Sequence, residues 1–340
     1  MELLSYCFLN EKGEKIKAYN EDLNMVPASN MKLVSGYTAY KLLKKDFKFE
    51  TKFSIDRDIL TISGDPTFLL DCNSLKNTLS LLNIKTGIKY VETADIFDEE
   101  IYRGSWEIED KKYCYGSPIL PYTVNEGCIC EKGFPAGAHS KYAVPGKKDS
   151  DLIEKVFKNL PDSYGNALNE AYYKSSLVDV LKHIMHYSCN YNIEVLFKYL
   201  SYSRYGIGTW NKSIELEKDF IGNLFGKERI YIDDGSGLST KNLLTTSFLS
   251  ELLYYINKND KEFFNLMPAP GSGTLNGRLD ELKDYNIRAK TGTVFGCSFI
   301  SGIVLNKGVY FSIGINNSVN GEKSREDFID GLLIKFLKSL

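Results

Sequence analysis

Ser29 and Lys32 stand three residues apart where a helical pattern begins, so they project from one face within reach of each other. A hydroxyl at a helix N-terminus with an amine one turn away is the minimal kit for an activated nucleophile. The same pair also suits a plainer role, a serine helix cap followed by a solvated lysine. Two further polar features interrupt apolar patterns: Ser188-Cys189-Asn190, between two helical stripes, and Lys290-Thr291-Gly292, at the start of a strand series. Each has its own plain alternative, a helix cap for the first and an exposed edge-strand start for the second. The tripeptide recurs at Lys85-Thr86-Gly87, ahead of Ser188 in chain order, and there it reads as a turn.

The elements that would position these residues follow from periodicity. Behind Ser29, the residues Leu33, Gly36, Tyr37, Tyr40 and Leu43 recur at helical spacing, and Val34, Ala39 and Leu42 make the far side apolar as well. This predicts a central, mostly buried helix with Gly36 at a close-packing position. Leu3–Phe8 and Lys15–Tyr19 flank a turn-rich bend and read as a β-hairpin. Phe49–Ile55 and Ile59–Ile62 read as strands ahead of a Gly64-Asp65-Pro66 turn, Leu69–Asn83 as a helix and Gly87–Val91 as a strand. Leu177, Val180, Leu181 and Ile184 form one helical stripe, and Ile193, Leu196, Phe197 and Leu200 another. Helices over Phe220–Phe225 and Leu243–Asn257 precede the strand Asn286–Thr293. The hairpin Phe299–Leu305 with Val309–Ile315 follows, its second strand alternating as if one face were more buried. A last helix carries Ile329, Leu332, Leu333 and Phe336. Strands at both ends with helices between them predict an antiparallel sheet closed by the two termini. Residues 48–168 read as a small α+β module inserted into a domain made of 1–47 and 169–340.

With 340 residues the chain has room for roughly two domains. A net charge of −2 provides no basic field to recruit nucleic acid or an anionic membrane, so neither is expected as a partner. No run of eighteen apolar residues provides a transmembrane helix. The start, Met1-Glu2-Leu3-Leu4-Ser5, lacks the features of an export signal, which predicts a cytoplasmic protein, or an extracytoplasmic one already processed. Seven scattered cysteines fit reduced thiols used as small hydrophobes better than a disulfide framework. His183, His186 and Cys189 share a helix face, but no second Cys/His cluster completes a metal site, so no metal is expected.

Ser-x-x-Lys, Ser-x-Asn and Lys-Thr-Gly in this order form the motif set of penicillin-binding proteins and β-lactamases. The chain resembles the serine D-alanyl-D-alanine carboxypeptidases/endopeptidases of the penicillin-binding protein 4 (DacB) type over nearly its whole length. The resemblance rests on Pro27-Ala28-Ser29-Asn30-Met31-Lys32-Leu33, Gly64-Asp65-Pro66-Thr67, Asp234-Gly235-Ser236-Gly237-Leu238-Ser239, and Gly273-Thr274-Leu275 with Arg278. Cys189 departs from the pattern, since Asp often stands there. The interval from Ser29 to Ser188 is shorter than in fuller members, so a nested subdomain is expected to be missing.

The resemblance implies an α+β penicillin-binding/β-lactamase-like transpeptidase fold: an antiparallel sheet flanked by helices, a helical half and the small inserted module. It implies catalytic roles for Ser29, Lys32, Ser188, Asn190 and Lys290, substrate binding by Thr291, Gly292 and Thr293, and no cofactor. Ser29 would attack the carbonyl of the penultimate D-alanine and form an acyl-enzyme, with the Ser29 and Thr293 N–H groups as oxyanion hole. A free lysine is deprotonated only about once in 2,500 molecules at pH 7, and bringing Lys32 into a useful range requires about 3–4 kcal/mol. Burial and the like charge of Lys290 would supply it. The implied partners are a small peptide or peptidoglycan stem peptide as substrate and β-lactams as covalent inhibitors. A β-lactamase, esterase or D-stereospecific peptidase on the same fold, or a non-catalytic peptide-binding protein, are the alternatives. Class A β-lactamases have a much shorter interval between the first two motifs, and a dead site has no need of all five catalytic residues.

Overall fold

The computed structural model describes residues 2–84, 88, 90–130, 143–145, 164–165, 168–226 and 230–340. The repeated Lys85-Thr86-Gly87 lies outside the described residues. Along the chain run β1 (Leu3–Leu9), β2 (Lys15–Tyr19), α1 (Met31–Leu42), β3 (Lys48–Asp56), β4 (Ile59–Gly64), α2 (Cys72–Leu79), β5 (Tyr90–Thr93), β6 (Glu170–Ser176) and α3 (Leu177–Tyr187). They are followed by α4 (Asn190–Tyr205), α5 (Trp210–Phe225), α6 (Thr246–Asn259), β7 (Ile287–Val294), β8 (Cys297–Val304), β9 (Val309–Asn316) and α7 (Glu322–Lys338). The chain forms two compact units, Met1–Ala39 with Leu181–Ser188 and Ile214–Leu340, and Tyr40–Val180 with Cys189–Ser213. Among the described residues no helix is long and apolar enough to cross a membrane.

The first unit is built on an antiparallel sheet of order β7-β8-β9-β1-β2. The N-terminal hairpin pairs with the last strand, Leu3 opposite Asn316 and Leu9 opposite Tyr310, so the sheet is closed by the two ends of the chain as expected. The alternation in β9 suggested one covered face, yet all eight of its residues are buried. The reason is a helix on each side. Phe311, Ile313 and Ile315 share a core with Ile329, Leu333 and Phe336 of α7. Tyr310 meets α6 on the other face, edge-on to Tyr254 and accepting a hydrogen bond from Asn257 Nδ2 at 2.7 Å. Helix α1 is buried from Met31 to Tyr40, and a Cβ added at Gly36 would lie 2.5 Å from Met185 Cε, the predicted close packing. Leu42 departs from its expected burial, being 43% exposed at the helix end.

The second unit carries a sheet of order β6-β3-β4-β5, antiparallel except for β4 with β5. Its core joins Phe53, Leu60 and Ile62 to Leu75 and Leu79 of α2, which is shorter than predicted and capped by Asp71. The unit reaches beyond the expected 48–168 module to include α4. Tyr199 of α4 donates to Asp65 Oδ1 at 2.7 Å, and Lys198 Nζ to Asp98 Oδ1 at 2.6 Å and Glu100 O at 2.8 Å. A periodic stripe in the sequence shows that α4 has an apolar face but not which core receives it. Cys114 is disulfide-bonded, a correction to the reading of all seven cysteines as free thiols, whereas Cys7, Cys72, Cys189 and Cys297 are free. Counting and spacing average over a chain and do not see a single bridge.

Lys198 is fully buried, lies over the Trp210 ring at 4.4 Å, and has its pKa lowered chiefly by desolvation. Removing its carboxylate partner leaves a buried charge uncompensated. Asp98→Ala is expected to destabilise the protein by about 3 kcal/mol, and Asp98→Ala with Lys198→Met to recover most of the loss, as read from urea unfolding midpoints.

Candidate active site

Ser29 sits in a single 3₁₀ turn, Ala28–Asn30, that leads into α1. Its hydroxyl does not cap the helix: Pro27 holds the cap position of the turn, without a side-chain hydrogen bond. Instead Ser29 Oγ accepts from Lys32 Nζ at 2.8 Å, and Lys32, 0% exposed, also donates to the Ser236 carbonyl at 2.8 Å. Both halves of the plain reading, serine cap and solvated lysine, therefore fail. Ala28 precedes the serine with φ +48°, a left-handed conformation that costs a residue with a Cβ of order 1 kcal/mol and clusters at functional sites.

Lys290 on β7 donates to Ser188 Oγ at 2.9 Å and to the Thr291 carbonyl at 2.6 Å. It too is 0% exposed, so it is no edge-strand surface lysine. Burial holds its pKa well below the ordinary lysine value, and the charges of Lys32 and Arg278 push it the same way. Ser188, just beyond the end of α3, has φ +56°, a second left-handed residue that is not glycine. Neither Ser188 nor Asn190 caps the helix that follows. Cys189 does, its Sγ accepting from Asn192 N at 3.4 Å. Asn190 belongs to the second unit as the first residue of α4, and its Nδ2 donates to the Tyr115 carbonyl at 3.2 Å.

Within the five-stranded sheet β7 is an edge strand, paired only with β8. Ala289 N donates away from that partner, to the Pro268 carbonyl at 3.1 Å. Backbone groups of alternate residues point to the same edge of an antiparallel strand, so Thr291 and Thr293 present theirs on the edge that Ala289 uses. Gly292 lies between them against the turn that carries Ser29, where an added Cβ would stand 2.7 Å from Ser29 N and 3.0 Å from Asn30 N. Thr291 is buried and Thr293 half-buried.

The first unit thus brings together Ser29, Lys32, Ser188 and the strand Lys290–Thr293, a hydroxyl–amine pair beside a second such pair and the edge strand of the sheet. The sequence profile of the D-Ala-D-Ala carboxypeptidase 3 (S13) peptidase family matches residues 9–170 and 171–335. The chain belongs to that family.

This S13 peptidase, a serine-type DD-carboxypeptidase, is 24% identical to a D-alanyl-D-alanine carboxypeptidase of Actinomadura sp. (strain R39), with 86% of this chain and 73% of the relative covered. That alignment runs over 393 positions, more than the 340 residues available here, so the relative has segments that this S13 chain lacks. Penicillin binding protein 4 (dacB) from Haemophilus influenzae shares its fold, with a TM-score of 0.77, 20% identity, and 94% of this chain and 92% of that chain covered. The penicillin G-acylated predatory endopeptidase of Bdellovibrio bacteriovorus also superimposes, with a TM-score of 0.57, 17% identity, and 100% and 92% covered.

One partner in the S13 site was missed by reading residue types. The Ser236 carbonyl is a backbone group, and the Asp-Gly-Ser-Gly-Leu-Ser motif that carries it offered side chains with no evident role. Burial of a glycine-framed serine in an otherwise polar loop is the signal that would have found it.

Two outcomes follow from this geometry. Gly292→Ala forces the strand off the Ser29 amide, and displacement by about 1 Å is expected to cost about 100-fold in D-alanine release, with the melting temperature little changed. Lys290→Met tests the depressed lysine through stability. Below its folded-state pKa Lys290 is charged in both states and the burial penalty is complete. The penalty shrinks as pH rises from that value toward the unfolded one, near 10.4. Wild type is therefore expected to gain on Lys290→Met as pH rises toward 10, in urea midpoints measured across that window.

Proposed function

We propose that this S13 peptidase hydrolyses D-alanyl-D-alanine-type peptide ends, as a carboxypeptidase or endopeptidase, through an acyl-enzyme on Ser29. The observation that carries the reading is the Lys32 Nζ–Ser29 Oγ contact of 2.8 Å between a fully buried amine and a half-buried hydroxyl. A neutral Lys32 takes the serine proton as Oγ attacks the carbonyl of the penultimate D-alanine. Burial, and after it the charge of Lys32, hold Lys290 below the ordinary lysine value, so a proton on Lys32 disfavours one on Lys290. Ser188, hydrogen-bonded to Lys290, relays the proton taken up by Lys32 to the leaving amine as the C–N bond breaks, which leaves Lys32 neutral and Ser188 protonated again. Water then attacks the ester, releasing the shortened peptide and returning the proton to Ser29.

The Ser29 and Thr293 N–H groups act as the oxyanion hole, one at a helix start and one on the edge strand. The substrate lies along that edge, with its terminal carboxylate toward the Thr291 and Thr293 hydroxyls and the charge of Lys290. Asn190 is assigned the peptide carbonyl on residue type and motif order, an amide N–H being the donor that such a carbonyl needs. Peptidoglycan stem peptides are the natural substrate class and β-lactams covalent inhibitors, a reading supported by the penicillin G-acylated relative.

Labelled penicillin G followed by peptide mapping tests this. The adduct is expected on the peptide containing Ser29 and to vanish in Ser29→Ala, with the melting temperature unchanged. Folded protein with no adduct, or one that persists in Ser29→Ala, overturns the reading. High-turnover hydrolysis of nitrocefin would shift it to a β-lactamase.

A further inference from the structure

The loop Asp234–Ser239 is buried throughout, although only Leu238 in it is a large apolar residue. Its organising group is a carboxylate that is 0% exposed. Asp234 Oδ1 accepts from Gly237 N at 2.7 Å and from Asn242 Nδ2 at 2.8 Å, and Oδ2 accepts from Ser239 N at 2.7 Å. Asn242, also 0% exposed, completes a frame, its Oδ1 accepting from Asp233 N at 2.8 Å and its Nδ2 donating to the Ser239 carbonyl at 3.0 Å. Hydrogen bonds to an ionised acceptor are about twice as strong as neutral ones, so this loop is held far more rigidly than its two glycines suggest.

What the frame presents lies on its other side. Ser236, between the groups that Asp234 grips, turns its carbonyl to Lys32 Nζ at 2.8 Å. Gly237, at φ +81°, presses on the residue before the nucleophile: a Cβ there would stand 1.8 Å from the Ala28 carbonyl oxygen. One loop therefore touches both the amine beside Ser29 and the strained peptide that leads into it. A neutral amine that donates one N–H to a fixed carbonyl cannot turn about its C–N bond, which confines its lone pair to the two remaining tetrahedral positions, and Ser29 Oγ stands 2.8 Å from the same nitrogen.

We infer that Asp234 is a positioning residue for the peptidase reaction: through the Ser236 carbonyl it aims Lys32 at Ser29. The inference rests on the reading of Ser29 as nucleophile and Lys32 as its base. It assigns the Asp-Gly-Ser-Gly motif a task that its side chains alone do not reveal, since the working group is a peptide oxygen.

The test is Asp234→Asn, which keeps the shape of the side chain but sets an N–H against one of the loop's backbone donors. Acylation by a fluorescent penicillin and D-alanine release from a D-Ala-D-Ala peptide are measured from pH 6 to 10. The expected result is a loss of at least about tenfold in kcat and in the plateau acylation rate, with KM within about twofold of wild type. The carbonyl also favours the protonated amine, so its displacement is expected to move the acid limb of the acylation profile to lower pH. Asn242→Ser, which loosens the frame while leaving the carboxylate in place, is expected to give the same signature at smaller amplitude. Rates within about twofold of wild type overturn the inference, as does a loss that falls on KM with the acid limb unmoved. Loss of folded structure in both variants overturns it too, showing Asp234 to be a determinant of the fold alone. Labelling of Ser29 in the wild-type protein is read separately, so the inference can fail while the assignment of the nucleophile stands.

Discussion

Two lysine side chains held out of water within each other's field are the constraint to which the rest of the first unit answers. Each ammonium is costly to bury, and the charge on one raises the cost of the other. Lys32 donates to the Ser29 hydroxyl and the Ser236 carbonyl, and Lys290 to the Ser188 hydroxyl and the Thr291 carbonyl. Such groups orient an amine without fixing a full counter-charge, which leaves proton loss accessible. A carboxylate in the same place would have made a stable ion pair and a poor base.

The same compromise is visible in the backbone. Ala28 and Ser188 both adopt left-handed conformations although neither is glycine. Each is held by what surrounds it: the loop through Gly237 against the Ala28 carbonyl, and the Lys290 hydrogen bond on Ser188. Strain of this kind persists where neighbouring structure over-determines it, and here it places two hydroxyls on two amines. The Arg278 clamp adds a distant electrostatic contribution. Its guanidinium binds Asp330 through two hydrogen bonds, at 2.9 and 2.8 Å, and Glu326 at 2.6 Å, while its positive charge also bears on Lys290.

Much of this was legible from residue types because the chemistry resides in side chains. Ser29, Lys32, Ser188 and Lys290 could be read from their kinds and order, and the terminal strands from their alternation. What escaped was decided by packing. The burial of both faces of β9 depends on α6 and α7, each visible only as a separate stripe. The attachment of α4 to the second unit depends on Tyr199 and Lys198 reaching Asp65 and Asp98, more than ninety residues upstream. The Ser236 carbonyl escaped for a different reason: a peptide oxygen is the same in every residue, so only its surroundings distinguish it.

The pairing of β1 with β9 has a temporal side. The strand that carries Lys290 stands beside the turn of Ser29, some 260 residues earlier, in a sheet whose middle is made by joining Leu3–Leu9 to Val309–Asn316. Contacts so distant in sequence close large loops and form late. During synthesis the first β-hairpin emerges with its central partner still unmade, so a growing chain has a serine and a lysine but no assembled site. Reactivity in this protein is therefore acquired only after Val309–Asn316 has been made and has joined Leu3–Leu9.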